Sequence, residues 1–369
     1  MATARFLTAA TLSVACLSLG ACSGRQNAAP SAPPPAAATG SVWVADEGAD
    51  SLSVIDAATH SIAMTMTGIN APHNVQAVRD GAVVYATSGA DMVVAIDPMT
   101  YRVTATAPTG SHPAHVIEAP NGKVYVTNAG DGTVSVYQGQ GLIPAGEITL
   151  GGMPHGMRPA SGGSVIVVAN MTAGALDLID PATDRAVGAV PVGTSPVQVA
   201  VSADGRYAYT GITDPPRVVK VDLSQRKVLE AAAVPTPAVQ LYLTPDEKTI
   251  VSADQGSRDK PGRTLSVIDT AAMTTRSTVP TGSGPHGVAI DTTGHFAWVT
   301  NSYDNTVSAI DLTSLSVSAT IPVAAAPNGI SYSPRPPAPA AAATTTLDIP
   351  AHTTAAPQES PPNPHSGHH

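Results

Sequence analysis

The sequence predicts an all-β protein, a seven-bladed β-propeller, and three observations lead to this fold. A block of about 42 residues repeats seven times along the chain. Each block holds four short β-rich runs separated by Asn, Asp, Gly and Pro, which favour turns. The first block lacks its first run, and the last block ends on a surplus one. A period of this size with four strands per unit is typical of a propeller blade.

The period is measured at one marker residue per block, which follows a proline-bearing turn. Successive markers are separated by 42, 40, 43, 42, 46 and 42 residues. The seven markers are His73, His115, His155, Gln198, Gln240, His286 and Asn328. Each marker opens the first apolar run of its block, as in Val-Gln-Val-Ala-Val (197–201). We therefore expect each marker to stand at the entrance to a first strand.

The remaining runs follow in a constant order. After a turn such as Asp204-Gly205, two further β-rich runs flank a loop rich in Asn, Asp and Gly, and a fourth run such as Ser-Ala-Thr-Ile-Pro-Val (318–323) ends the block. Apolar residues spaced three and four apart, which a helical repeat would need, are not found. The blocks are therefore predicted to be four-stranded.

The two ends of the repeat region complement each other. The first block begins with a second-strand sequence, Val-Trp-Val-Ala-Asp (42–46), whereas Asn328 is followed by Gly-Ile-Ser-Tyr-Ser (329–333) with no further block. The simplest arrangement lets 330–333 complete the first blade, which removes the open edges of a linear array. We therefore predict a closed ring spanning residues 41–333.

The repeat sequence resembles a known family. The combination of Pro-His, Tyr-Val-Thr-Asn (125–128), Asp-x-Thr-Val-Ser (131–135) and a later Ile-Asp resembles the YVTN-repeat β-propellers, related to cytochrome d1-like and lactonase-like propellers. The likeness covers residues 41–333, and the third and seventh copies match best. It implies a bacterial, often exported propeller, but it does not define one activity.

The N-terminus predicts an exported lipoprotein. Residues 1–21 have an apolar stretch after Arg5 and end in Leu-Gly-Ala before Cys22, which resembles a bacterial lipobox. Lipid on Cys22 would anchor the chain on the extracytoplasmic side of a bacterial membrane. Residues 22–40, rich in Ala, Pro and Ser, are then a tether. Cys16 would leave with the signal peptide, so the mature chain is expected to have no disulfide.

The C-terminal segment is predicted to be a tail, and the net charge limits the classes of partner. Residues 334–369 are rich in Pro, Ala and Thr and are predicted to form a disordered tail. This tail ends in three histidines that could capture Zn, Cu or Ni: His365, His368 and His369. The net charge of −9 argues against nucleic acid as a partner. We expect a monomer whose partners are the membrane, through its anchor, and a small ligand or an envelope protein.

Two sets of repeated polar residues are candidates for function. Aspartates in the Ile-Asp pairs, such as Asp56 and Asp97, are predicted to shape turns rather than to form a carboxylate array. The marker residues, by contrast, should crowd the mouth of the central channel. We expect the loop residues Asn128, Asn170 and Asn301 on the same face. Either the markers brace the blade junctions with hydrogen bonds, or they form a ligand or metal site.

Four imidazoles around one channel could bind Cu or Zn, although those of blades two to four are expected to lie too far apart to share one ion. No catalytic set is recognised. A lactonase-like or redox enzyme would use His, Arg and acidic groups at the channel mouth, with Arg158, Arg217, Arg258 and Arg263 as the arginine candidates. The sequence therefore favours a lipid-anchored binding or scaffold module. A channel-mouth enzyme and a metal-handling protein that uses the hub and tail histidines are the alternatives.

Overall fold

The computed structural model describes residues 38–350, which form seven sheets arranged as the blades of a propeller, and all strand pairs but one are antiparallel. Blades 2 to 7 have four strands each, and blade 1 has five. In every blade the strand that follows the marker lies at one end of the sheet order, next to the channel. The prediction of a seven-bladed propeller is confirmed. Within the described range no helix is long and apolar enough to cross a membrane.

The strands are short, and their order along the chain follows the repeat. Blade 1 begins with β1 (Ser41–Asp46), the 3₁₀ turn η1 (Glu47–Ala49), β2 (Ser51–Asp56) and β3 (Ser61–Thr67). Blades 2 to 4 contain β4 (Val75–Ala77), β5 (Val84–Ser88), β6 (Met92–Asp97), β7 (Arg102–Pro108), β8 (Pro113–Glu118), β9 (Lys123–Asn128), β10 (Thr133–Gln138), β11 (Ile143–Thr149), β12 (Pro154–Pro159), β13 (Ile166–Asn170), β14 (Ala175–Asp180) and β15 (Arg185–Pro191). Blades 5 to 7 contain β16 (Val199–Val201), β17 (Tyr207–Ile212), β18 (Arg217–Asp222), β19 (Lys227–Ala233), β20 (Ala238–Leu243), β21 (Thr249–Gly256), β22 (Pro261–Asp269), β23 (Thr274–Pro280), β24 (Pro285–Ile290), β25 (Phe296–Asn301), β26 (Thr306–Asp311) and β27 (Ser316–Pro322). The chain ends with β28 (Pro327–Ser333) and β29 (Thr344–Thr346), which both join blade 1.

The ring closes through β28. This strand pairs antiparallel with β1, with Tyr332 opposite Val42 and Ile330 opposite Val44. Ile330 is buried in the apolar cluster between blades 7 and 1, together with Trp298. The predicted closure by 330–333 is therefore confirmed, and it leaves blade 1 with its innermost strand supplied from the C-terminal end.

Apolar side chains fill the gaps between neighbouring blades rather than one central core. Seven buried clusters are present in the described chain, one for each pair of adjacent blades. In blade 7, for example, Val299 faces the cluster shared with blade 6, whereas Trp298 faces the cluster shared with blade 1. This alternation follows from the two-residue period of a strand that is covered on both faces.

The predicted boundary of the disordered tail at residue 334 is wrong. Residues 334–350, which we name the C-terminal strap, return along blade 1 and add β29 parallel to its outer strand β3. Two strap residues are buried in the cluster between blades 1 and 2, Ala338 and Leu347. The Tyr101 hydroxyl also donates a hydrogen bond to the Ala338 carbonyl over 3.1 Å. Backbone pairing at an exposed sheet edge therefore orders a segment whose composition alone favours disorder.

The aspartates of the Ile-Asp pairs are turn residues, as predicted. Asp56 accepts hydrogen bonds from the backbone N–H groups of Ala58 and Thr59. Asp180 accepts from the N–H of Ala182 and from the hydroxyl of Thr183. The same pattern follows Asp97, Asp269 and Asp311. These carboxylates are therefore occupied by the turns between third and fourth strands.

Three predicted features lie outside the described residues. They are the signal peptide with Cys22, most of the tether, and the histidines of the extreme C-terminus, His365, His368 and His369.

Candidate functional site

The marker residues enter the innermost strands at one end of the channel, which we name the channel mouth. In five blades a β-bulge inserts one extra residue at this entrance, and three of these bulges contain a marker histidine: between Pro113 and Val116, between Pro154 and Met157, and between Pro285 and Val288. A bulge interrupts the pairing and redirects a side chain. Here it leaves His115, His155 and His286 out of the ladder, and their side chains converge on the channel mouth.

A threonine from the second strand holds these bulges in place. The Thr127 hydroxyl accepts a hydrogen bond from the backbone N–H of His115 over 3.0 Å, and it donates one to the His155 carbonyl of the next blade over 2.6 Å. In blade 7 the Thr300 hydroxyl accepts from the N–H of Gly287, the residue after His286, and donates to the Asn328 carbonyl of blade 1. The second-strand threonine therefore holds the backbone at the marker of its own blade and at that of the following blade.

Three imidazoles come together at the channel mouth. The coordinating nitrogen atoms offered by His73, His115 and His155 all lie within 4.8 Å of one another. The ring centres of His73 and His155 are 5.0 Å apart, as are those of His115 and His155. The expectation that the histidines of blades two to four are too far apart to share one ion is therefore wrong. A fourth imidazole, His286, has its ring centre 6.5 Å from that of His73.

The hydrogen bonds of His73 and His155 orient both Nε2 atoms towards each other. His73 Nδ1 lies 3.3 Å from a carboxylate oxygen of Glu47, and His155 Nδ1 lies 3.1 Å from the Val197 carbonyl oxygen. The Val197 carbonyl is an acceptor, so His155 Nδ1 carries the hydrogen and His155 Nε2 is free of it in the neutral ring. His73 Nδ1 lies between the Glu47 carboxylate, an acceptor, and the Asn328 amide nitrogen, a donor 3.1 Å away, so either of its ring nitrogens can carry the hydrogen. These two Nε2 atoms are 3.2 Å apart. This contact is favourable when His73 Nε2 carries the hydrogen and donates it to His155 Nε2, or when both atoms bind the same cation.

Burial keeps the neighbouring imidazoles neutral. It lowers the pKa of His155 to about 3, helped by the charges of His73 and His286. Burial and the charge of His73 lower the pKa of His286 to about 4. The pKa of His115 is held well below its usual range by burial and then by His155, His73 and Arg158. Neutral imidazole is the form that binds transition metals, so these rings are ready ligands at physiological pH.

Glu47 is a residue of the site that sequence reasoning missed. Burial opposes its ionisation, but the hydrogen bond and charge of His73 and the hydrogen bond from Asn328 lower the pKa of this carboxyl below its ordinary value. The Asn328 amide donates to its second oxygen over 2.5 Å. One signal was present in the sequence: Glu47 is the only charged residue at this loop position, where Gly89, Ala129, Met171 and Ser302 stand in the other matching copies.

The other markers brace the ring. The Gln240 side-chain oxygen accepts a hydrogen bond from the Val288 N–H of the next blade over 2.5 Å. The Gln198 oxygen accepts from the Val199 N–H, and its amide nitrogen lies 3.4 Å from His115 Nδ1. The two glutamines therefore form the bracing hydrogen bonds that were one of the two expectations, whereas three of the histidines form a cluster.

The loop asparagines lie on the same face as the markers, as expected, because they pair with Pro113, Pro154 and Pro285 at the strand entrances, but their side chains do not line the channel mouth. Asn128, Asn170 and Asn301 are buried within their own blades. The amide nitrogens of Asn128 and Asn301 donate to hydroxyl groups on the adjacent third strand, such as Ser135 and Ser308. Asp46 and Asp254 occupy the matching positions in blades 1 and 6, where burial raises the pKa of each to about 7. These asparagines and aspartates therefore have a structural role within the blades.

The four arginine candidates do not form one constellation. The Arg258 guanidinium lies 4.8 Å from the centre of the Tyr303 ring, and Arg263 lies 3.8 Å from Asp304. Arg217 starts β18. Arg158 is in the channel, on the same strand as His155.

Comparison with known proteins agrees with the architecture. The family model of the YNCE-like beta-propellers matches residues 2–338. The chain belongs to this family. No curated protein matches its sequence. The expected membership in YVTN-type, cytochrome d1-like propellers is confirmed at the level of the fold family.

Many solved structures are similar to this YNCE-like propeller, and they include the following three. Kuenenia stuttgartiensis hydrazine synthase is 20% identical, with 73% of this chain and 91% of that chain covered and a TM-score of 0.65. A functionally unknown protein from Desulfotomaculum acetoxidans DSM 771 is 14% identical, with 81% and 100% covered and a TM-score of 0.70. The dihydro-heme d1 dehydrogenase NirN, in complex with DHE, is 15% identical, with 82% and 77% covered and a TM-score of 0.61. At these identities the likeness concerns the fold alone.

Proposed function

We propose that this YNCE-like propeller binds one divalent transition-metal ion at the channel mouth, through His73, His115 and His155. The observation that carries the proposal is the convergence of three imidazoles, whose coordinating nitrogen atoms all lie within 4.8 Å of one another, with the Nε2 atoms of His73 and His155 3.2 Å apart. A metal ion would take the place of the hydrogen between these two Nε2 atoms and bind both of them. Glu47 and the Val197 carbonyl then act as the outer hydrogen-bond partners that metal-bound histidines usually have.

The spacing of the nitrogen atoms favours zinc. With Zn–N distances of about 2.0–2.1 Å, neighbouring ligands of a tetrahedral ion are about 3.3–3.4 Å apart, whereas a square-planar ion would bring them to about 2.9 Å. The 3.2 Å between His73 and His155 is nearer to the tetrahedral value. The fourth position would be taken by water or by His286, whose Nδ1 is buried without a hydrogen-bond partner in the described chain. Copper is the alternative ion, since imidazole suits both metals.

The wider role that we propose is a binding module of the bacterial cell envelope. Lipid on Cys22 would hold the propeller on the extracytoplasmic side of a membrane, where it would take up a metal ion that passes through the envelope. His365, His368 and His369 would form a second, weaker group of ligands on the same chain. The rigid ring supports this role because its blade junctions hold the imidazoles in place before the ion arrives.

A zinc titration of the full chain tests the proposal. The background protein has His365, His368 and His369 replaced by alanine, so that only the propeller contributes ligands. We expect one equivalent of Zn²⁺ to bind, with affinity lowered about a hundredfold or more by His73→Ala or His155→Ala. His295→Ala is the matched control, because this exposed histidine lies in the turn after β24, away from the channel mouth.

Two results would decide against zinc at this site. Unchanged zinc affinity in both His73→Ala and His155→Ala would overturn the proposal. Binding of Cu²⁺ but not Zn²⁺, lost in the same two variants, would keep the site and assign it to copper.

A further inference from the structure

The channel opens on the face opposite to the mouth into a second cavity. This cavity has a volume of about 680 Å³ and is lined by later residues of the innermost strands, including Gln76, Arg158, Tyr242 and Ser331. Ligand-binding cavities for small molecules have volumes of about 300–1,000 Å³. The cavity therefore has room for a small organic molecule.

Arg158 is one of the charged groups that line this cavity, and it has no carboxylate partner among the described residues. Its Nη1 donates one hydrogen bond, over 3.1 Å to the Met157 carbonyl, and its guanidinium carbon lies 5.7 Å from the centre of the Tyr242 ring. Among residues 38–350, no carboxylate oxygen lies within 4.0 Å of it. The other N–H groups of the guanidinium have no protein acceptor in that range. Burial lowers its pKa, while Tyr242 acts in the opposite direction.

The carboxylates that line the same cavity are engaged elsewhere. Asp291 accepts hydrogen bonds from the N–H groups of His295 and Phe296 in its own turn. Glu247 accepts from the Ala203 N–H, and Glu118 accepts from the Tyr85 hydroxyl. None of them neutralises Arg158. Arg158 is partly buried and its remaining N–H groups face the cavity, so an oxyanion from a ligand would supply the missing acceptors.

We propose that this cavity binds a small organic oxyanion, a carboxylate or phosphate with an apolar body, and that Arg158 is its anchor. The planar guanidinium presents parallel N–H groups that match the two oxygens of either anion. Apolar lining residues such as Ile117, Leu241 and Ile290 would contact the rest of the molecule. This site is separate from the imidazole cluster, and it does not depend on metal binding there.

The test uses the full chain with EDTA present, so that no metal at the imidazoles captures the anion. Benzoate, phenyl phosphate and the neutral benzamide are titrated by calorimetry and by thermal shift. We expect at least one anion to bind about tenfold or more tightly than benzamide and to raise the melting temperature. Preference for benzoate or for phenyl phosphate then assigns the carboxylate or the phosphate class.

Three variants show whether Arg158 carries the binding. Arg158→Met should weaken anion binding about tenfold or more. Arg158→Lys should have an intermediate effect, because lysine keeps the positive charge but lacks the two parallel N–H groups of the guanidinium. Arg79→Met is the control, since Arg79 lines the exposed rim of the same cavity. Equal binding of the anions and benzamide, or unchanged anion binding in Arg158→Met, would overturn the proposal. If Arg158→Met is insoluble, unchanged binding in Arg158→Lys together with a loss in Arg79→Met would also overturn it.

Discussion

The C-terminal strap allows a quantitative test of how the ring is completed, through the substitution Leu347→Ala. Leu347 is 5% exposed and lies in the cluster between blades 1 and 2, and its backbone N–H donates to the Thr67 carbonyl over 2.8 Å. Truncation of a buried leucine to alanine costs about 2–5 kcal/mol. Because the strap lies at an outer sheet edge, where neighbours can relax, we expect the lower part of this range, about 2–3 kcal/mol.

The assay is urea unfolding of the full chain, compared with Leu229→Ala. Leu229 is 41% exposed on β19, so its truncation should change the free energy of unfolding by less than about 0.5 kcal/mol. In thermal unfolding, the Leu347 variant should melt roughly 4–6 °C lower. If Leu347→Ala is as stable as Leu229→Ala, the strap does not pack against blade 1, and the parallel pairing of β29 is wrong.

Truncation extends the same test to the backbone. A chain that ends after Ser333 loses β29, including the hydrogen bond from the Thr65 N–H to the Ala343 carbonyl. A chain that ends after Pro350 keeps it. We expect the first truncation to be less stable by about 2 kcal/mol or more, because the loss of Leu347 alone accounts for that amount. Equal stability of the two truncated chains would show that the C-terminal strap does not pack against blade 1 and belongs to the disordered tail.

Three further predictions concern protonation and anchoring. Asp254→Asn should raise the free energy of unfolding by about 1–3 kcal/mol at pH 8 and by clearly less at pH 4.5, as measured by urea unfolding. Burial raises the pKa of Asp254 from 3.8 to about 7, so the wild-type protein loses stability as the pH rises between these two values, and the asparagine variant does not. Zinc binding at pH 5.5 should release at most one proton per ion, because the lowered pKa values of His115, His155 and His286 leave these rings neutral before the ion binds. Calorimetry in buffers of different ionisation enthalpy measures the number of protons released, and release of three protons would refute this prediction. Cys22→Ala should move the protein from the membrane fraction to the soluble fraction, and unchanged membrane association would refute lipidation at this residue.

The ring could be predicted from the sequence because its information is local and repeated. Four runs per block, turn aspartates such as Asp56 and an unmatched strand at each end lead to seven closed blades. Each of these features depends on neighbours close in the chain or on the pleat of a strand. The strap escaped prediction because its order depends on a free edge of β3, which only the folded sheet provides.

The site was predicted in part, for a similar reason. The marker positions correctly bring His73, His115 and His155 to one end of the channel. Their mutual distance depends on the channel radius and on the bulges that redirect the side chains, and neither is encoded by spacing along the chain. Glu47 reaches His73 from a neighbouring blade, so the pair is visible only in three dimensions.

The central claim is that three imidazoles of the channel mouth hold one metal ion, and X-ray absorption at the zinc edge tests it most directly. The sample is the full chain with one equivalent of Zn²⁺, in the background in which His365, His368 and His369 are alanine. We predict a four-coordinate ion with about three imidazole nitrogens at roughly 2.0–2.1 Å. A spectrum of hydrated zinc with six oxygen ligands, or one that His73→Ala and His155→Ala leave unchanged, would contradict the claim.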